Sequence, residues 1–368
     1  MVRGALAPLA GAAGMNLMER YIAGTVLRAT LLTLLTVLGL LVFFEFIDAM
    51  EDVGQGDFGL LTAIIIAASA APRFAFDVLP VAALLGSLLG LGSLASHGEL
   101  GAMRAAGMSL RGIVLAVIKA GILLLAGVFV IGDVLTPAAE QYAQRLKADT
   151  LSEQVSLTSQ YGVWARDGLG FINVRRIAPG GRLEDVYIYD MSSIGELQLA
   201  THAASAEYVD QEWTLRGVRE SQLSENHVLA RTAPETRRAA LIDPVLIEVS
   251  VMEPAMLPIW ELRQYIDYLQ ENGQSSTAYE VEFWNKVFTP FSILVMLFLA
   301  VPVVLGSLRS VSIGQRIFVG AFIGAGFHLL TRGLSYVALV YQVEPALATG
   351  LPLVVFAAGG VFLLWRLR

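Results

Sequence analysis

Long apolar runs alternate with short polar loops in both halves of the chain, and a polar stretch with period-two patterning lies between the halves. The first run, about Ile22 to Ile47, follows Glu19 and Arg20, contains Arg28, and is long enough for one membrane-crossing helix. It has one anomaly, Glu45, near its far end. Residues 48–59 hold Asp48, Glu51, Asp52 and Asp57 and no basic residue. From Leu60 to Leu94 the chain is apolar for too long to be one span. As a helix it would reach about 50 Å, against a hydrocarbon core of roughly 30 Å. Pro72 and Pro80 are expected to divide it into an outer interfacial segment and a span from about Asp77 to Leu94. Gly86, Gly90 and Gly92 in that span allow close approach of another helix.

Leu94 to Arg111 is a polar loop rich in helix formers, with Leu100, Met103, Ala106 and Met108 at roughly helical spacing beside Glu99 and Arg104. The pattern fits a short helix docking in a groove on a soluble partner, or a tight turn on lipid headgroups. A third span follows at Ile113 to Ile131, with Lys119 placed to snorkel. The last three are about Trp284–Leu308, Ile317–Tyr341 and Ala346–Leu364. Basic residues in the amino-terminal segment, the 95–111 and 308–316 loops and the tail predict that these four face the cytoplasm. Both termini are then cytoplasmic, and the polar stretch lies outside.

That stretch reads as β. YGVWARDG, GFINVRRI, LEDVYIYDM, AEYVD, WTLRGVRESQL and LIEVSVM alternate or are β-branched, and Asp167-Gly168, Pro179-Gly180-Gly181 and Asn226 punctuate them. A sandwich or jelly roll is expected. Residues 258–272 place Ile259, Leu262, Ile266 and Leu269 on one face of an amphipathic helix leading back to the membrane, with Trp260 suited to the interface. Residues 1–14 are expected to be a disordered extension, with Met15 as an alternative start.

Composition supports a membrane protein: 55% of residues are apolar, 15% charged, and mean hydropathy is +0.63. Of the net charge of −7, residues 133–283 hold 12 Lys/Arg and 23 Asp/Glu, and the remainder holds 13 and 9. An acidic block thus interrupts two slightly basic halves. There is no cysteine, no phosphate loop of the G-x-x-x-x-G-K-[ST] type, and no H-E-x-x-H or G-x-S-x-G. His97, His202, His227 and His328 lack metal-ligand spacing. Nothing argues for catalysis, a resident metal or nucleic-acid binding.

MERYI at 18–22, LPVAALLGSLLGLGSLASHGELGAMRAAGMS at 79–109, YGVWARDG at 161–168 and FWNKVFTPFSILVM at 283–296 resemble the LptF/LptG family. These are the paired permease subunits of the lipopolysaccharide-export ABC transporter of Gram-negative bacteria. The resemblance covers the chain from about Asn16 onward and implies a polytopic α-helical inner-membrane protein. It implies six transmembrane helices, three and three, with a periplasmic β-jellyroll between. The implied parts are a first transmembrane half at 15–132 with a coupling helix at about 96–108, a jellyroll at 133–256, and an interfacial helix and second half at 257–368. The implied partners are a sister permease (LptF), a dimer of the ATPase LptB, the LptC/LptA bridge and the membrane-anchor helix of LptC. ATP and Mg²⁺ would belong to the ATPase. Glu99 matches the acidic residue of the family's coupling motif, Leu100 and Met103 the apolar residues that enter the ATPase groove, and Arg104 lies beside them. The first and fifth spans, with the sister subunit, would line the lipid cavity.

One departure stands out. At the outer end of the first helix the family carries lysines that meet lipopolysaccharide phosphates, and this sequence has Glu45, Glu51 and Asp52. Arg73, Arg145, Lys147 and Arg332 are candidate replacements, or divalent cations bridge carboxylate to phosphate. A pair between Arg332 and Glu45 is the purely structural alternative. Two other functions fit less well: a permease for another lipid or for lipoproteins, and a membrane-anchored binding or scaffold protein without transport.

Overall fold

In the computed structural model the apolar runs are helical throughout, since a helix satisfies every backbone N–H and C=O within its own segment. The structure describes residues 16–150, 163–167, 170–178, 182–192, 196–209, 212–224, 227–238, 254–306 and 311–366. The helices are α1 (Leu17–Ala49), α2 (Leu60–Ser69), α3 (Ala71–Ser96), α4 (Glu99–Ala105), α5 (Leu110–Val130), α6 (Thr136–Thr150), α7 (Ile259–Glu271), α8 (Thr277–Leu305), α9 (Ile313–Tyr341) and α10 (Pro345–Arg366). Six stretches are long and apolar enough to cross a membrane: α1, α2 with α3, α5 with α6, α8, α9 and α10. Six such helices with an antiparallel β domain between the third and fourth match the expected architecture.

Two expected boundaries move. The run from Leu60 breaks at Ala70, and Pro72 sits at the start of α3, where a helix needs no N–H donor. Pro80 lies inside α3 and divides nothing. The third span does not end at Ile131. A π-turn at Ile131–Leu135 carries the helix into polar α6, and Thr136 donates its hydroxyl to the Ile131 carbonyl at 2.9 Å. Extending an existing helix needs no new nucleus, so a polar sequence can continue it.

One compact unit holds the described residues of Met1–Asp48, Ala67–Ala139 and Glu280–Arg368. Its core joins α1, α3, α5 and α8 through residues such as Val26, Leu84, Leu88, Val117, Met296 and Val304. Gly86 faces α1, and a Cβ there would land on the Thr30 backbone. At Gly320 and Gly324 a Cβ would come 2.6 Å from Leu85 and Val81, so α9 lies against α3. Gly92 meets a side chain rather than a helix backbone: a Cβ would sit 2.7 Å from Arg316 Cδ. Lys119, expected to snorkel, instead donates to Glu19 across α5 and α1 at 2.7 Å.

The second unit holds the described residues of Ala49–Ile66 and Glu140–Tyr279. Its strands are β1 (Val163–Asp167), β2 (Gly170–Ile177), β3 (Leu183–Met191), β4 (Leu197–Val209), β5 (Glu212–Ser224) and β6 (His227–Arg238). They form one antiparallel sheet in sequential order. β4 starts well before the predicted AEYVD, because Ala-rich LATHAAS has weak strand propensity. β6 was not expected at all: it is arginine-rich and contains Pro234. An edge strand tolerates proline, and Pro234 falls where the β5–β6 register skips, opposite Gly217 with φ +65. The core is a row of aliphatics on one face, among them Val186, Ala203, Leu215 and Val218, with Trp213 only 1% exposed. On α7, Leu262, Ile266 and Leu269 are buried as expected, joined by Tyr265, while Trp260 is exposed. LIEVSVM, Gly168, Pro179-Gly180-Gly181, Asn226 and residues 1–14 lie outside the described residues, while Asp167 ends β1.

Candidate functional site

α3 ends at Ser96, and Gly98 at φ +77 turns the chain into the seven-residue α4, a conformation that glycine adopts without a Cβ penalty. Met108 N–H donates to the Met103 carbonyl at 3.0 Å, and Ser109 caps α5 by accepting from Gly112 N–H at 3.1 Å. The short helix is therefore built in and held at both ends. Leu100 and Met103, the residues expected to enter the ATPase groove, face the helical bundle of this chain. Leu100 is 3% exposed in the helical core, and Met103 is half-buried against it. The surface of α4 consists of Gly101, Ala102, Arg104 and Ala105, with half-buried Glu99 at its start. Glu99 also accepts a hydrogen bond from Tyr21.

The spans differ sharply in what they touch. In α3 and α8, 67% and 61% of the most apolar window is buried, against 11% in α1 and 17% in α9. Leu31, Leu32, Leu35, Phe43 and Phe44 lie exposed on α1, as do Phe318, Phe322 and Leu329 on α9. Both faces are apolar enough for lipid, yet charged side chains lie alongside them.

Arg332 Nη2 lies 3.7 Å from Asp77 Oδ2, and Arg73 Nη2 lies 3.8 Å from Glu45 Oε2. The alternative pairing of Arg332 with Glu45 is thus corrected: each arginine takes a different carboxylate. At these separations the pairs are electrostatic contacts rather than short hydrogen bonds. Their side chains are between 30% and 58% exposed, an expensive arrangement against hydrocarbon. A single central Arg or Asp costs about 2.5–3.5 kcal/mol on the insertion scale. In the β-containing unit Lys147 Nζ meets Asp52 Oδ2 at 2.6 Å. Two of the three acidic positions, Glu45 and Asp52, therefore already hold a cation. Glu51 is exposed, and Arg145 is exposed with no ion pair among the described residues.

Sequence reasoning passed over Asp77, Asp133, Glu282 and Lys286, although an ionisable residue within a span is itself a signal. Lys286 is 6% exposed, and its ammonium lies 3.5 Å from the Gly132 carbonyl in the π-turn. Glu282, Asp133 and Asp77 supply the negative charge around it. A π-turn beside a buried charge cluster is a frequent mark of functional sites. No group of metal-ligating side chains is found among the described residues.

The family described as "Lipopolysaccharide export system permease LptF/LptG" matches residues 20–366. The LptG permease protein of Haemophilus influenzae is 35% identical over 356 residues, covering 96% of this chain and 99% of the relative. That of Escherichia coli K12 is 32% identical over 355 residues, covering 95% and 98%.

Proposed function

The chain belongs to the LptF/LptG family of lipopolysaccharide export system permeases, and from that membership we propose how its faces divide the work. It is a multi-pass inner-membrane permease subunit whose cargo is lipopolysaccharide. Lifting a lipid with several acyl chains into water would cost tens of kcal/mol, at about 0.8 kcal/mol per CH₂, so export needs a continuous apolar route. The observation that carries the reading is the pair of uncovered apolar faces on α1 and α9. The sister permease closes these faces into a cavity open to the outer leaflet, and the cargo's acyl chains occupy it. The polar block lies in the periplasm, both termini lie in the cytoplasm, and α4 meets the ATPase dimer that binds ATP and Mg²⁺. Export continues through the LptC/LptA bridge, with the anchor helix of LptC against the permease pair.

Glu99, Met103 and Arg104 transmit ATPase movement, while Leu100 ties α4 to the bundle so that the movement reaches α3. Arg73 and Arg332 in the helical unit, and Arg145 and Lys147 in the β-containing unit, take over phosphate contact from the family's lysines. Arg73, Lys147 and Arg332 are each held by a carboxylate until phosphate displaces it.

The test is ATP-driven release of lipopolysaccharide from vesicles containing this chain, the sister permease and the ATPase. Leu35→Glu combined with Phe322→Glu should stop release while the complex still inserts. Release at the unchanged rate would overturn the assignment of these faces to cargo.

A further inference from the structure

The β-containing unit holds a polar cavity of about 330 Å³ on the sheet face that also forms its core. Its polar lining is Asp190, Gln198, Glu220, Gln222 and Arg231, with Leu199 and Leu229 between them. Register explains the convergence. Asp190 pairs with Leu199, Leu199 with Gln222 and Gln222 with Leu229, giving one row across four strands. Two residues along, Ile188, Thr201, Glu220 and Arg231 make the next row on the same face. Side chains alternate faces along a strand, so both rows point the same way. Further in, the rows turn aliphatic at Val186 and Ala203, both 0% exposed.

Two more observations bear on what the cavity takes. Asp190 shares its row with Leu229, and Arg238 lies at the far end of β6, more than about 30 Å from Asp190 in a flat sheet, yet Arg238 donates to Asp190 Oδ2 at 2.8 Å. The sheet is therefore folded over this face, and the cavity sits beside the closure. Thr201 is 2% exposed and its hydroxyl has no hydrogen-bond partner among the described residues. A buried hydroxyl left unpaired costs free energy, and Thr201 shares a row with Glu220 and Arg231.

We propose that this cavity is a binding site for the phosphorylated sugar head group of a glycolipid. The inference rests on the export reading and adds a head-group contact in this subunit's own β domain. Sugar rings present vicinal hydroxyls, which donate to carboxylates and exchange hydrogen bonds with amides, and apolar C–H faces, which pack on aliphatic side chains. Asp190 and Glu220 accept from ring hydroxyls, Gln198 and Gln222 bridge neighbouring ones, and Leu199 and Leu229 lie against the C–H face. Arg231 takes the phosphate; a planar guanidinium suits phosphate. The volume lies at the small end of the range for small-molecule sites, and the polar lining suits a head group better than acyl chains.

The experiment uses the full chain assembled with the sister permease and ATPase in lipid discs containing lipopolysaccharide. A photocrosslinking residue replaces Leu229 in the cavity, Trp164 on the opposite sheet face, or Leu35 on α1. The expected result is an ATP-dependent lipopolysaccharide adduct at 229 and 35 and none at 164. A deacylated phosphorylated glucosamine disaccharide should suppress the adduct at 229 but not at 35. Glu220→Gln and Arg231→Gln, which preserve shape, should each lower the adduct at 229 at least fivefold with unchanged thermal unfolding. An adduct at 35 with none at 229, or one at 229 that the disaccharide does not compete, would overturn the head-group site and leave the export reading intact. No adduct at either position would overturn both.

Discussion

α1 and α3 are both long, apolar helices, with window hydropathies of 2.3 and 2.0, yet 11% of one window is buried and 67% of the other. Hydropathy measures the cost of leaving water and is silent on whether protein or lipid receives the side chain. What separates the two is the small-residue pattern: α3 carries Gly86 and Gly90 where α1 crosses it, and α9 meets it through Gly320 and Gly324. α3 is thus the axis of this subunit, and α1 and α9 each use one face on it and leave the other uncovered. The charges fit the same division. Asp77 and Arg73 on α3 reach outward to Arg332 on α9 and Glu45 on α1, so the uncovered side of the bundle is also the side with exposed ion pairs.

The comparison breaks most readily by placing the same charge on each helix. Leu84→Asp puts a carboxylate where the native side chain is 0% exposed. It adds a buried charge to the loss of a packed leucine, which alone costs about 2–5 kcal/mol. No folded chain should be recovered. Leu35→Asp acts where the native side chain is 55% exposed, and the chain should insert and resist protease normally while failing to bind the sister permease or cargo. Equal yields for the two variants would show that α1 packs within this chain as tightly as α3.

A smaller effect should separate α4's anchor from its surface. Leu100→Ala should destabilise the helical unit by about 2–5 kcal/mol, seen as a lower unfolding midpoint before any ATPase is added. Arg104→Glu should leave that midpoint within about 0.5 kcal/mol and weaken recovery of the ATPase with the purified chain. If Leu100→Ala affected only ATPase recovery, Leu100 would be a partner contact after all.

The ion pair beside α9 gives a sharper and smaller test. Asp77→Asn leaves Arg332 uncompensated, Arg332→Gln does the reverse, and the double variant removes both charges. Each single change should lower the inserted yield, with the double variant recovering part of it, a coupling of about 0.5–3 kcal/mol. Additive losses would mean that the 3.7 Å separation carries no interaction.

Spans, the glycine face of α3 and the buried face of α7 were legible in sequence because each depends on local periodicity. Asp77 with Arg332 was not: the residues are far apart in the chain, and either could be assigned to several opposite charges until the helices are placed. Leu100 is ambiguous in sequence for a related reason. An apolar residue on a short helix between spans has two candidate grooves, one in a partner and one in its own bundle, and spacing alone does not distinguish them. β6 was missed because its arginines and Pro234 mimic a loop, although an edge strand accommodates both.

The smallest expected effect lies in the β-containing unit, where a hydrogen bond to a carboxylate is short and local. His202 Nε2 donates to Asp185 Oδ1 at 2.6 Å, and this hydrogen bond holds the Asp185 carboxyl below the usual carboxylate value of about 4. A carboxyl lowered on folding stabilises the folded state most when ionised in both states, at pH above about 4. That contribution is lost as pH falls through the lowered folded value. Asp185 sits at φ +55, a conformation that asparagine also tolerates, so Asp185→Asn changes charge with little backbone strain. The side chain is 39% exposed, so the pair should contribute only about 0.2–1 kcal/mol. The unfolding midpoint of the strand signal should therefore be slightly higher in the parent than in Asp185→Asn near neutral pH, and the gap should close in strong acid. A gap that stayed constant from neutral pH to well below pH ~4 would mean that the carboxylate's charge plays no part, and that Asp185 serves this sheet only through its shape.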